Sequence, residues 1–180
     1  MPQSELAEIK RMLLTLPQLD YPNADSTFKA HGERLNAILI AKILQHQGIK
    51  TRFLEPKDVG LIVTGTPNNA EVNPETYVNL KRVKLNDDER VIFPGFYGIT
   101  PSGHIATFSR GGSDITGAIL ARGLNAALYE NFTDVDAIFS ANPHIIDQPK
   151  PIKKMTYREM RELSYASFSV FHDEALIPAI

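Results

Sequence analysis

Cysteine is absent from the 180 residues, which excludes a disulfide scaffold, a thiolate nucleophile and zinc-thiolate sites together. Basic charge is not in surplus either. Nineteen Lys and Arg stand against 21 Asp and Glu, a formal net charge of -2, so the footprint that nucleic acid or an anionic membrane requires is missing. No apolar run nears the ~20 residues that cross a bilayer. The opening MPQSELAEIKRMLLTL carries acidic residues and no unbroken apolar stretch, unlike a secretory signal. A cytoplasmic protein with no membrane and no nucleic-acid partner is the expectation.

Several chemical signatures are also lacking. His31, His46, His104, His144 and His172 are scattered without an HExxH or other metal-like spacing, so no metal-ligand set is assigned. No GxSxG, Walker A or GxGxxG sequence occurs, which leaves triad hydrolysis, P-loop chemistry and dinucleotide binding without their usual marks. Lys81, Arg82 and Lys84 form a small basic cluster that reads as a solvated helix face.

What is present is a 43% apolar content, ordinary for one compact domain. Leu6, Ile9, Met12, Leu13 and Leu16 recur at helical spacing, with Ser4 as the expected cap and Pro17 as the stop. A second helix is expected over 27–47, with Leu35, Ile38, Leu39 and Ile43 on one face and Gly48 ending it. The runs KTRFLE, GLIVTG, RVIFPGF and HIATFSR read as strands, with helices over 74–85 and 113–128 between and after them. ALYENFTDVDAIF reads as a further strand, and Thr156 and Glu159 stand at capping-box spacing before a last helix. The alternation predicts an α/β sandwich.

Three constellations can carry chemistry. In TFSRGGSDITGAILARGL a strand enters Arg110-Gly111-Gly112-Ser113-Asp114 and leaves as an apolar helix. The glycines admit close backbone approach, the helix start offers N–H groups to an anion, and Arg110 adds a planar cationic fork. The same residues equally suit a plain Gly-Gly turn with Ser113 or Asp114 capping the helix. Thr133, Asp134 and Asp136 stand at the end of a predicted strand, where ligands gather in open α/β sheets, or else form a solvated Asx-type turn. Their spacing does not continue as a calcium loop. Glu33, in His31-Gly32-Glu33-Arg34, could meet a substrate ammonium group or simply favour the helix dipole.

Taken in order, HGERLNA, VIFPGFYG, TFSRGGSD, NFTDVDAIFSANP and REMRELSYASFSVFHDEALIPA resemble the aspartokinases, in particular the Gram-positive-type branch whose late motif ends FHDEALIPA. Residues 27–180 carry the resemblance and 1–26 form a helical lead-in. The resemblance implies a three-layer α/β/α sandwich of the amino-acid-kinase (carbamate-kinase-like) type. It also implies transfer of the ATP γ-phosphoryl group to the β-carboxylate of L-aspartate, the opening step toward lysine, threonine and methionine.

ATP with Mg2+ is the implied cofactor, and a homo-oligomer the implied assembly. By matching motif, Glu33, Arg110 and Ser113 would hold aspartate and Asp114 would organise the catalytic groups. Gly111, Gly112, Thr133, Asp134, Phe139, His144 and Ser169 would face the nucleotide. Phe139 stands where the family often has Tyr, Asn142-Pro143-His144 where it has Asp-Pro-Arg, and Ser169 where it has Lys.

The family's opening KFGG-type strand and its later ACT-type domains have no counterpart in these residues. The expectation is therefore a catalytic domain incomplete at its N-terminus and impaired in turnover. It would be prone to self-association or partial disorder, or act as a nucleotide- or anion-binding fragment that needs a separate N-terminal partner.

Overall fold

The computed structural model describes residues 3–15, 23–132, 137–141 and 145–165. Two helices come first, α1 (Gln3–Leu14) and α2 (Ala24–His46). Ser4 lies inside α1 rather than capping it, while Pro17 falls outside the described residues. Gly48 does end α2: at φ 81 it lets Gly48 N donate to Gln45 O and Ile49 N to Leu44 O, closing orphan carbonyls as a left-handed cap does.

The face that α2 buries agrees with the expected one at Leu35 and differs beyond it, with Ile38 and Leu39 half-buried. Ser26, Thr27, Ala30, Leu35, Ala37 and Ala41 are buried, and Ile43 is exposed. Three of these six are alanines, and short side chains allow the helix to lie close on β1 (Thr51–Phe53), β4 (Arg90–Ile92) and β6 (Ile105–Thr107). Ile40 and Ile43 are exposed.

β1 and β4 pair in parallel, β2 (Val63–Thr66) and β3 (Asn69–Val72) form a hairpin, and β5 (Tyr97–Ile99) pairs antiparallel with β6. A parallel bridge between Ile62 and Ile99 and a bond from Thr107 N to Pro67 O (2.8 Å) join the hairpin to β5 and β6. Alternation then decides the layers. Ala106 and Phe108 join a core with Val59, Leu61, Val63, Leu80, Ile115 and Ile119, which brings in α3 (Pro56–Val59), α4 (Glu75–Leu80) and α5 (Gly112–Gly123). Thr107 faces the other way, onto Pro67 and Asn68, where Ser26 of α2 also bonds. Helices thus cover both faces of the strands, the expected α/β/α arrangement.

Local differences have local causes. α5 stops at Gly123 because Asn125 adopts φ 53 and Ala126 N returns to Ala121 O, so 124–128 are not helical. α4 ends at Leu80, and Val83 turns in against the core. Residues 127–132 and 137–138 carry no strand, and Phe139 makes only a bridge to Pro151, so the strand expected in ALYENFTDVDAIF is not formed by its described part. The capping box before α6 (Tyr157–Tyr165) is formed: Thr156 N donates to Glu159 Oε2 at 2.7 Å and Glu159 N to Thr156 Oγ1 at 3.2 Å.

Gly98 in β5 has no room for a side chain. A Cβ there would stand 2.5 Å from Val63 Cγ1, 2.6 Å from Leu61 Cδ2 and 3.1 Å from Leu61 O. Gly98→Ala is expected to lower stability by about 1–3 kcal/mol through overpacking. Gly32→Ala, with nothing within 4 Å of its Cβ, should gain about 0.5–1 kcal/mol in the interior of α2. Urea unfolding midpoints of the two variants check the opposite signs.

Candidate functional site

The RGGSD turn is built by a close fit of loop on helix. Gly111 is the N-cap of α5 at φ 79, a left-handed conformation that suits glycine, and the helix start carries no side-chain cap among the described residues. The capping role open to Ser113 or Asp114 is therefore not taken up. Ser113 is exposed and Asp114 half-buried, both in the first turn, with exposed Arg110 just ahead of the cap. Gly112 is buried because a Cβ would meet Phe96 Cδ2 at 2.7 Å and Phe108 Cβ at 3.0 Å. Gly95 plays the matching part on the loop, its Cβ position lying 3.2 Å from Ser113 Cα.

One hydroxyl pins these surfaces. Buried Thr116 Oγ1 accepts from Phe96 N at 2.9 Å and donates to Gly112 O at 2.9 Å. Phe96 itself has φ 82, a conformation that costs a non-glycine residue about 1 kcal/mol or more and that clusters at functional sites. Phe96 O accepts from Phe108 N at 2.8 Å, so the strained residue is held at both ends. Asp114 is steadied from the far side: Asn131 Nδ2 donates to Asp114 Oδ1 at 3.2 Å, and Tyr129 Oη to Asp114 O at 3.4 Å.

Glu33 lies half-buried on α2, beside a second cluster. Its neighbour Arg34 forms an ion pair through Nε with Glu55 Oε1, and Lys57 Nζ lies 3.3 Å from Glu55 Oε2. Glu55 caps α3, and Glu55 N donates to Asp58 Oδ2 at 3.0 Å. Glu55 is buried while Arg34 and Lys57 remain partly exposed, so losing Arg34 would leave a buried carboxylate poorly paired. Tyr97, 2% exposed, sits among these charges. Burial pushes its phenol above the ordinary 10.0, and Glu55, Asp58 and Glu33 add to the rise while Arg34 opposes it. The structure therefore sets Glu33 beside Tyr97 and the RGGSD turn beside Phe96, two clusters flanking one dipeptide.

Of the other residues expected at the site, Phe139 is half-buried in the bridge to Pro151. Thr133, Asp134, His144 and Ser169 lie outside the described residues. Among the described residues no group of three or more His, Cys, Asp or Glu gathers to hold a metal, and no helix is long and apolar enough to cross a membrane. Sequence reasoning missed Thr116, Asn131 and the Arg34–Glu55 pair. Only the Pro94-Gly95 step within VIFPGFYG signalled that a loop had to fit there.

A model of the amino acid kinase family matches residues 4–180. The chain belongs to the amino acid kinase family. Within it, this chain is 55% identical to aspartokinase 3 of Bacillus subtilis (strain 168) over 98% of its own length, and 34% identical to the aspartokinase of Mycolicibacterium smegmatis over 74%. The fold of this family member matches Escherichia coli aspartokinase III, solved with lysine and aspartate, at a TM-score of 0.83 with 26% identity over 99% of the chain. It matches Clostridium acetobutylicum aspartate kinase at 0.71 with 34% identity, again over 99%. The chain spans 39% of the Bacillus relative, 32% of the Mycolicibacterium one, 42% of the E. coli chain and 37% of the Clostridium chain.

The raised phenol of Tyr97 has a signed consequence. Below pH 10 folded and unfolded chains both keep the proton. Above it the unfolded chain releases a proton that the folded chain retains, so stability falls as pH rises through the folded value. Tyr77 and Tyr129, also raised by burial, contribute in the same direction. Thermal unfolding should drop in midpoint above pH 10, and the drop should shrink in Tyr97→Phe.

Proposed function

We propose that this chain is a catalytic-domain part of an aspartate kinase, which transfers the γ-phosphoryl group of ATP to the β-carboxylate of L-aspartate. The observation that carries the reading is the start of α5, where Gly111 supplies the turn and Arg110, Ser113 and Asp114 stand together around an N-terminus without a side-chain cap. The likeness to aspartokinases supports the choice of substrate.

In this reading Arg110 pairs as a planar fork with an aspartate carboxylate, Glu33 meets the ammonium group, and Ser113 completes the contact. A β-carboxylate oxygen attacks the γ-phosphorus as the bond to the ADP oxygen breaks. The N–H groups following Gly111 and Gly112 face the transferring oxygens. Asp114, held by Asn131, orders these groups. Thr133, Asp134, Phe139, His144 and Ser169 take the nucleotide, whose phosphates bring magnesium. The protein partner is a second copy of the chain, a reading supported by the exposed apolar side chains Phe28, Ile40 and Ile43 on α2.

Calorimetric titration with L-aspartate tests the site without requiring turnover. Saturable binding is expected, weakened about tenfold or more by Arg110→Ala or Glu33→Gln, as for a lost charge-assisted contact. Unchanged affinity in both variants overturns the reading. ATP- and magnesium-dependent aspartyl hydroxamate formation then tests catalysis, with Asp114→Ala abolishing it. Binding without hydroxamate would leave a nucleotide- and substrate-binding fragment.

A further inference from the structure

A cleft of about 460 Å³ opens between β1, α3 and the end of α4, lined by Arg52, Leu54, Asp58, Val83, Arg82 and Lys84 among others. It lies away from the RGGSD turn and meets the ion-pair cluster only through Asp58, which lines it. Leu80 at the end of α4 packs on Gly123 at the end of α5, so the cleft borders the C-terminal end of that helix. The RGGSD turn is at the other end of its 12 residues, about 18 Å along the axis at 1.5 Å per residue.

The cleft has an apolar floor and a cationic rim. Val59 belongs to the core, and Leu54 and Val83 pack against it. Arg52 is fixed on one wall: its Nε lies 2.9 Å from Glu89 Oε1 and its Nη2 donates to Lys84 O at 2.9 Å, which ties the segment after α4 to β1. Gly60, at φ 66, fits so closely under Asn79 that a Cβ would meet Asn79 Nδ2 at 2.7 Å, and Asn79 Nδ2 donates to Gly60 O at 3.1 Å. The floor is therefore closely built.

Charge is what the cleft leaves unbalanced. Arg52 is paired with Glu89, whereas Arg82 and Lys84, like several other exposed cations, enter none of the ion pairs among the described residues. The one carboxylate in the lining, Asp58, already accepts from Glu55 N. With Arg52 paired to Glu89, the lining sets Arg82 and Lys84 against the single carboxylate of Asp58, a local excess of positive charge in a chain of net charge -2. The basic run Lys81, Arg82 and Lys84 is solvated as expected, but it follows the end of α4 rather than lying on the helix, and Arg82 and Lys84 border the cleft.

We infer that this cleft binds a small organic anion, a phosphate or carboxylate head on an apolar body, with the head between Arg82 and Lys84 and the body on Leu54, Val59 and Val83. The lining is mixed, Leu54, Val59 and Val83 giving the apolar part and the charged side chains the polar groups that small-ligand sites use for orientation.

The test is amide chemical-shift titration of the folded chain at constant ionic strength, with phenyl phosphate, inorganic phosphate and phenol as probes. Phenyl phosphate should saturably shift Gly60, Val83 and Lys84. Inorganic phosphate should act more weakly at the same amides, and phenol should not act. Arg82→Glu with Lys84→Glu, both surface positions, should weaken phenyl phosphate about tenfold or more. Asp58→Asn, which keeps an acceptor for Glu55 N but removes the opposing charge, should tighten it. Shifts that grow linearly without saturating, persist in the double variant, or appear only around residues 110–114 overturn the proposal.

Discussion

A single buried hydroxyl joins the two surfaces on which the candidate site depends. Thr116 Oγ1 takes the proton of Phe96 N and gives its own to Gly112 O, each at 2.9 Å. Without that acceptor Phe96 N would be a part-buried donor short of its partner, a loss of up to about 1–3 kcal/mol. The bond also allows Phe96 to hold φ 82. The same clamp brings Gly95 against Ser113, where a Cβ would be tight, and Gly112 against Phe96 and Phe108, where a Cβ would stand 2.7 Å from Phe96 Cδ2. The position of Arg110, Ser113 and Asp114 is thus set by the core, since Ile115 and Ile119 anchor the same helix in it.

The second constraint is electrostatic. Glu55 caps α3 and pairs with Arg34, so α2 and α3 cannot slide past one another without stranding a buried charge. Glu33 is the next residue along α2, and its charge is felt at Tyr97. Because Tyr97 follows Phe96, the backbone that the clamp fixes on one side is flanked by the ion-pair cluster on the other. A site assembled this way is ordered before any ligand arrives, which reduces the cost of binding.

Much of this was legible where the cause was local. GLIVTG entered the core through Leu61 and Val63, Gly48 ended α2, and Thr156 with Glu159 made the capping box. The RGGSD turn was visible as strand, turn and helix. RVIFPGF, however, read as one strand, whereas Pro94-Gly95 breaks it and Phe96 turns the chain into β5, whose partner Thr107 lies ten residues on. The α3 cap was written in Glu55-Pro56-Lys57-Asp58 but hidden by the strand pattern before it. α2 kept Leu35 of its predicted face in the core but added alanines and left Ile43 exposed, because closeness of approach to the sheet is a tertiary demand. Thr116 gave no signal at all, since its role exists only once Phe96 N has arrived from 20 residues away.

The central claim is that the loop before β5 is locked to the start of α5 by Thr116. Hydrogen exchange at the Phe96 amide measures it most directly. The lock requires Phe96 N–H to exchange as slowly as the amide of buried Ile119, and to lose that protection in Thr116→Val while Ile119 keeps its own. Exchange at Phe96 as fast in the native protein as at the exposed Ser102 would contradict it.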